Sequence, residues 1–492
     1  MKYKMKDILL NFISSISNRM FTSWSPFVDT KYRLYTTGQG FVYLDGSDTP
    51  DKSLYFLALG SYKIPTTITY YTPKNTYLSY VKITQPKYKN LIQIDNSFAI
   101  AATDLNKNGY EEILVTHNEF NKKQMSLFYY DSSSTSWKVK KFPNPSKYQN
   151  GSVTVVPQGF LVGNITDPPY LMKWNYYKST LEPDYDFVQY DPKRVKKFYS
   201  RSIMNMKGLI KGVDGLILHG DIKKKRDPEN TFEQSYFTLS DKKLVIYPWF
   251  DTTKMNTTSA AFVNVNPEKG IYGFVFGNWA QLGYMYLFQK GKYLNRFTFQ
   301  GGYTTCVVVA DFDNDGKDEI FFANAYSYNT LYKVHDENNI EAVNVGQAYN
   351  NSYFSPRDNF FFESASAMDM DGDGFLELYT NAGNIYNVGN VWFKVSTLIS
   401  RKKDRYLRIF PLTKELAPHR GAVVKIKFGK KVYKRIIENG GNAMSQSEPI
   451  AHFGLGNYKG TVDVTVKWTN GKKTHLKDVS SNQVLRVVYD KE

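Results

Sequence analysis

The chain of 492 residues has one cysteine, Cys306, so no disulfide can close within it. A large extracellular protein commonly carries such staples, and their lack leans towards a reducing or organellar setting. Cys306 itself lies in the apolar run Cys306-Val307-Val308-Val309-Ala310 and reads as a buried strand residue. Long apolar runs are missing too, so no membrane-spanning helix is expected. Histidine is scarce, with only His117, His219, His335, His419, His452 and His475. None forms a closely spaced metal pair such as H-E-x-x-H, and no G-x-S-x-G occurs. The chain is therefore expected not to be an enzyme. Acids are outnumbered, 46 against 63 basic residues, for a net charge of +17. That balance favours acidic proteins or an anionic lipid surface. The basic residues are spread out, however. The densest runs, Lys193–Lys197, Lys223–Arg226 and Arg401–Lys403, read as solvated loops. No nucleic-acid-binding motif accompanies them, so nucleic acid is not an expected partner.

What the chain has in quantity is aromatic, with 39 Tyr and 33 Phe. Aromatic side chains suit half-buried pleated surfaces, although an AT-rich coding sequence would enrich them as well. Residues 1–24 stand apart. Met5, Ile8, Leu9, Phe12, Ile13, Ile16 and Met20 follow helical spacing and define one apolar face. The other face is basic and serine-containing. Three readings stay open: a mitochondrial or other organellar targeting helix, a retained helix docking on a partner or membrane surface, and a secretory signal.

Internal similarity carries the fold assignment. Three segments share the pattern strand, acidic loop, strand, with the loop D-x-[DN]-x-[DN]-G-x-x-E. The first contains Asp104, Asn106, Asn108, Tyr110 and Glu112. The second contains Asp311, Asp313, Asp315, Lys317 and Glu319, and the third Asp369, Asp371, Asp373, Phe375 and Glu377. Calcium takes roughly six to eight hard oxygen ligands in a flexible shell. Side chains at positions 1, 3 and 5 of a tight loop converge. Glycine at position 6 turns the chain without steric cost. The carbonyl at position 7 adds a ligand, and the carboxylate at position 9 closes the shell. An EF-hand closes its longer loop with a later glutamate and is flanked by helices. Here the flanks are β-like, so that motif is rejected. The Asp311 and Asp369 loops offer four carboxylates each and are the stronger candidates for Ca²⁺. The Asp104 loop offers two, because Asn106 and Asn108 are neutral. The competing reading is a polar turn that needs no metal.

Weaker echoes place unit markers at 45, 104, 164, 205, 264, 311 and 369, spaced 59, 60, 41, 59, 47 and 58 residues apart. This spacing predicts an all-β chain: a seven-bladed β-propeller over 25–400, four strands per blade, with six or eight blades as neighbouring solutions. A Lys-rich segment over 401–492 follows. Short alternating strands such as Val423–Phe428, Val432–Ile437, Val462–Trp468 and Val484–Val488 are separated by turns such as Asn470-Gly471. They predict a small β-sandwich or barrel module.

The acidic loops resemble FG-GAP/VCBS repeats, the calcium-loop blades of integrin α-subunit propellers. His419-Arg420-Gly421-Ala422-Val423-Val424, Ser445-Gln446-Ser447, His452-Phe453-Gly454-Leu455-Gly456 and Val466-Lys467-Trp468-Thr469-Asn470-Gly471 are similar to the ASPIC/UnbV domain, with Thr469 standing where that domain usually has proline. The same order of domains occurs in the cartilage acidic protein family. The resemblance implies a non-catalytic, calcium-binding interaction protein, often extracellular. The resulting expectation is a scaffold or accessory subunit of a larger assembly, organellar or secreted, with other proteins as partners. The alternative is a secreted carbohydrate-binding or carbohydrate-active propeller, for which a glycan would be the ligand.

Overall fold

The structure is a computed structural model. It describes residues 36–43, 54–60, 67–70, 97–117, 124–143, 150–164, 168–189, 202–205, 208–210, 216–220, 233–237, 244–246, 257–325, 329–343, 361–369, 372–383, 389–393, 395, 404–437, 440 and 445–490. The amphipathic segment over 1–24 lies outside them. Among the described residues no helix is long and apolar enough to cross a membrane.

The described residues are all-β, and within each unit of the N-terminal part consecutive strands hydrogen-bond antiparallel as a meander. Unit 1 comprises Thr36–Tyr43, Leu54–Gly60 and Thr67–Tyr70. Unit 2 is Ser97–Thr103, Glu112–His117, Gln124–Asp131 and Ser136–Pro143. Unit 3 is Asn150–Val156, Gly159–Asn164, Tyr170–Asn175 and Thr180–Asp184. Unit 4 is Ile203–Asn205, Leu216–Gly220, Glu233–Phe237 and Leu244–Ile246. Unit 5 begins with Thr257–Asn266 and continues into the long strand Ile271–Gln289.

That long strand folds back on itself. Ala280 adopts a left-handed φ of 55°, and Asn278 Nδ2 donates to Leu282 O at 2.6 Å. Phe276 then meets Tyr286, and Phe274 meets Phe288. Its second arm pairs with the first half of Lys292–Ala310. The second half of Lys292–Ala310 opens unit 6, which continues through Glu319–Ala325, Thr330–Val334 and Ile340–Val343. Unit 7 is Phe361–Met368, Glu377–Gly383 and Gly389–Phe393.

The first strands of these units touch in chain order, and the strand opening unit 7 touches the strand opening unit 1. Apolar side chains fill the spaces between neighbouring units. Leu114 and Leu127 of unit 2 pack with Phe160 and Met172 of unit 3. Val275 and Leu287 of unit 5 pack with Val307 and Phe322 of unit 6. Phe321 of unit 6 packs with Leu378 of unit 7. Each fully buried large apolar side chain contributes about 1.5–3 kcal/mol. A sheet packed on both faces has no polar side to show. This accounts for the unbroken burial of Gly159–Asn164 and Glu319–Ala325.

One sequence marker is corrected. Asn164 does not connect the first two strands of its unit. That link is the tight turn at Pro157-Gln158, and Asn164 begins the next connection, its Nδ2 donating to Pro168 O at 2.8 Å.

The C-terminal module is a sandwich. Arg405–Leu412, Ala451–Gly456 and Val484–Val488 form one sheet, with Arg405–Leu412 and Val484–Val488 parallel. Val423–Phe428, Lys431–Ile436, Val462–Lys467 and Lys473–Val479 form the other. Leu407, Ile409, Val424, Ile426, Phe453 and Val464 are among the side chains packed between them. After the Lys431–Ile436 strand, the described residues Gly440, Ser445 and Gln446 lie against the first strands of the units. Ser445–Gln446 pairs in parallel with Gln39–Gly40 of unit 1. Gln446 Oε1 accepts from Ala102 N of unit 2 at 2.9 Å. Gly440 O accepts from Thr154 Oγ1 of unit 3 at 2.6 Å. Ser445 Oγ donates to Ala365 O of unit 7 at 2.8 Å. Cys306 of unit 6 is fully buried beside that contact. Three residues of the module thus contact the first strands of units 1, 2, 3 and 7.

Candidate metal centre

The three acidic loops join first strand to second in units 2, 6 and 7, and they are built alike. In each, the residue before the loop pairs with the glutamate that closes it: Thr103 with Glu112, Ala310 with Glu319, Met368 with Glu377. Positions 4 and 6 are left-handed throughout: Lys107 and Gly109, Asn314 and Gly316, Gly372 and Gly374. The position-6 N–H donates to the position-1 carboxylate, Gly109 to Asp104 at 3.0 Å, Gly316 to Asp311 at 2.8 Å, Gly374 to Asp369 at 3.1 Å. The position-7 N–H of Tyr110, Lys317 and Phe375 donates to the side chain at position 5, Asn108, Asp315 and Asp373. Glycine at position 6 was legible in the sequence. The second left-handed residue at position 4 was signalled only by Asn314 and Gly372.

The loops differ in what faces the carboxylates. In the Asp311 loop, carboxylate oxygens of Asp311, Asp313 and Asp315 lie within 4.8 Å of one another. Glu319 is fully buried beside them and takes the N–H of Phe312 on Oε2 at 2.9 Å. Asp311 Oδ1 and Glu319 Oε1 are buried and accept no hydrogen bond. Burial, reinforced by the neighbouring loop carboxylates, holds both carboxyl groups well above their ordinary range. Lys333, paired across the strand with Glu319, places its ammonium 2.6 Å from Asp313, 2.8 Å from Asp315 and 3.3 Å from Glu319. Burial works against that charge, but the carboxylates outweigh it and hold the lysine above its ordinary value. One ammonium in contact with three of the loop's four carboxyl groups cannot balance them all when they are ionised. The donor set is all hard oxygen, with Asp311 Oδ1 unsatisfied and Glu319 Oε1 met only by the Lys333 ammonium, and it fits a divalent cation such as Ca²⁺.

The Asp104 loop closes on itself. Asp104 accepts from Asn108 N and Gly109 N, and Glu112 Oε2 from Leu105 N and Asn106 N. Asn106 Nδ2 donates to Glu112 Oε1 at 2.5 Å, occupying the oxygen a metal would take. Burial pushes Asp104 up to about 7, and burial with the charge of Asp104 pushes Glu112 up to about 8. In the Asp369 loop, Arg408 of the module donates to Asp369 Oδ2 at 3.0 Å. Burial holds Glu448, the other partner of that guanidinium, up at about 7 against the opposing pull of the Arg408 charge. Asp371 lies outside the described residues.

What the sequence reading missed is the role of position 8. Glu111 takes two hydrogen bonds from Arg420, at 2.7 and 3.1 Å, and Asp318 pairs in the same bidentate way with Arg435. With Arg408 on Asp369, the C-terminal module sends one arginine to each acidic loop. Further contacts seat it there: Tyr433 Oη donates to Gly316 O at 2.9 Å, Gly456 N to Asn314 O at 2.8 Å, and His452 Nε2 lies 2.6 Å from Asn314 Oδ1. The opposite charges could have been read at 111 and 318, but nothing in the sequence placed the arginines opposite them.

Residues 311–380 match the family model of the FG-GAP-like repeat, and residues 413–492 match ASPIC and UnbV. Among curated proteins, the chain is similar to Cartilage acidic protein 1 of Mus musculus, 32% identical over 241 residues, covering 45% of this chain and 36% of that protein. The human protein of the same name is 32% identical over 242 residues, covering 45% and 35%, and that of Xenopus tropicalis 34% over 197 residues, covering 38% and 29%. The aligned region thus spans about a third of the relatives' length. Among solved structures, Saccharomyces cerevisiae Sqt1 aligns at a TM-score of 0.40 and 9% identity, over 76% of this chain and 98% of that one.

Proposed function

We propose that this chain is a non-catalytic, calcium-dependent scaffold. In this reading seven blades close a ring, calcium fills the Asp311 and Asp369 loops, and the C-terminal module is clamped over those loops. Its outer surfaces then serve other proteins of a larger assembly. The observation that carries the reading is the set of three arginines, the buried Arg408 and Arg420 and the half-buried Arg435, each delivered by the module to a different acidic loop. Such an arrangement spends the loops' charge on holding two domains in one orientation, which is what a docking platform needs. In this reading the carboxylate oxygens of the loops serve the ion and not acid–base work.

The carbohydrate reading would call for aromatics and acids clustered over the centre of the ring. Gly440, Ser445 and Gln446, held against the first strands of units 1, 2, 3 and 7, lie at that place on the loop side, which favours the scaffold. The test is two-part. Metal analysis of the purified chain should return bound calcium, and cross-linking mass spectrometry on native material should yield protein cross-links from surfaces away from the module. Absence of calcium, with defined glycan binding on an array, would reverse the choice.

A further inference from the structure

We propose that Lys333 is a tethered cation that competes with calcium in the Asp311 loop and sets its affinity. The inference rests on the calcium reading of that loop and extends it to a residue outside the ligand pattern.

Three observations carry it. The Lys333 ammonium is nine-tenths buried and lies within 3.3 Å of three of the loop's four carboxylates, those of Asp313, Asp315 and Glu319. Two of those contacts, at 2.6 and 2.8 Å, use oxygens that a calcium ion would also require. The lysine has no other role in view: it arrives from the neighbouring strand of the same unit, opposite Glu319, and points back at the loop.

Unit 2 supplies the comparison. Ile113 pairs with Phe128 there, so the register puts Tyr129, an uncharged side chain, opposite Glu112. That loop has fewer carboxylates and completes its hydrogen bonds with the Asn106 amide. Of these two loops, the one with more carboxylates is the one given an internal ammonium. Calcium affinity in such loops follows the number of uncompensated charges around the ion. A fixed positive charge a few ångströms away lowers it. In exchange the empty loop keeps its shape, because the ammonium holds the carboxylates together before the ion arrives. Lys333 thereby makes the loop a moderate-affinity site that tolerates loss of its ion.

The test is calorimetric titration of the full chain with calcium chloride, wild type against Lys333→Met, with melting measured in chelator and in calcium. K333M is expected to bind calcium at least about tenfold more tightly at one site. It should melt lower than wild type in chelator and gain more on adding calcium. If K333M folds only in calcium, that outcome supports the proposal, and titration then proceeds by competition with a chelator of known affinity. Lys269→Met is the control, since Lys269 is exposed and pairs with Glu337 on the surface, and it should change neither reading. Equal or weaker affinity in K333M overturns the role of Lys333 and leaves the calcium reading intact. No bound calcium in either protein overturns both.

Discussion

Arg420 and Glu111 lie 309 residues apart in sequence and share two hydrogen bonds with both side chains fully buried. The pair ties the C-terminal module to the loop of unit 2 at a position, the eighth, that takes no part in metal binding. Removing one member of a buried pair leaves the other charge uncompensated, which costs about 3–5 kcal/mol. Arg420→Met and Glu111→Leu should each destabilise the protein by that order in denaturant unfolding. The double variant should be far less damaged than the sum of the two, because no stranded charge remains. Additive losses would mean that the pair does not couple the domains.

The module and the Asp311 loop meet closely at Gly454. A methyl group there would stand 2.0 Å from Asp311 Oδ2 and 2.5 Å from the Asn314 Cα, and neither backbone nor buried carboxylate can yield cheaply. Gly454→Ala is expected to cost about 1–3 kcal/mol through overpacking. It should also expose the loop, seen as faster hydrogen exchange over 311–319. An unchanged melting curve and exchange pattern would show that the module is not seated on this loop.

His419 gives a pH signature inside the module. Its ring sits edge-on to Trp468, 4.9 Å between centroids, and Nε2 lies 3.0 Å from Thr469 Oγ1. Burial pushes it down to about 4. The unfolded chain takes up the proton near 6.5, so between those values the unfolded state binds more protons than the native state. Stability from this residue is complete above pH 6.5 and declines as the pH falls towards 4. The loss is on the order of 3 kcal/mol. His419→Gln should flatten that part of the stability profile relative to wild type. A wild-type slope surviving in the variant would assign it to other groups.

The loops should answer differently to substitution. Every carboxylate oxygen of Asp104 and Glu112 already accepts a hydrogen bond, whereas Asp311 Oδ1 and Glu319 Oε1 do not. Asp311→Asn should remove one calcium equivalent in metal analysis, and Asp104→Asn should leave the count unchanged. The reverse pattern would show that the internal hydrogen bonds of the Asp104 loop give way to a metal.

The acidic loops and the C-terminal strands were legible because both obey strictly local rules. A glycine at position 6 must turn, and Val423–Phe428 alternates buried and exposed residues as a half-buried strand does. Asn164 misled because Asn and Gly mark any turn, and the true link in that unit, Pro157-Gln158, is too short to carry the acidic pattern. The Arg408, Arg420 and Arg435 contacts, the Ser445–Gln446 pairing and the Lys333 ammonium were not legible. Each joins residues far apart in the chain or depends on strand register, which composition and spacing do not encode.

The most direct measurement is hydrogen exchange and melting of the intact chain, in millimolar calcium and then in excess chelator. Removing an ion held at a hundredfold excess over its Kd costs about 2.7 kcal/mol per site. Melting should therefore drop by several degrees, and exchange should rise together in residues 311–319 and in the module strand Ala451–Gly456 that rests on them. Identical melting and exchange in the two buffers would contradict the account, because the loops would then hold the module without any ion.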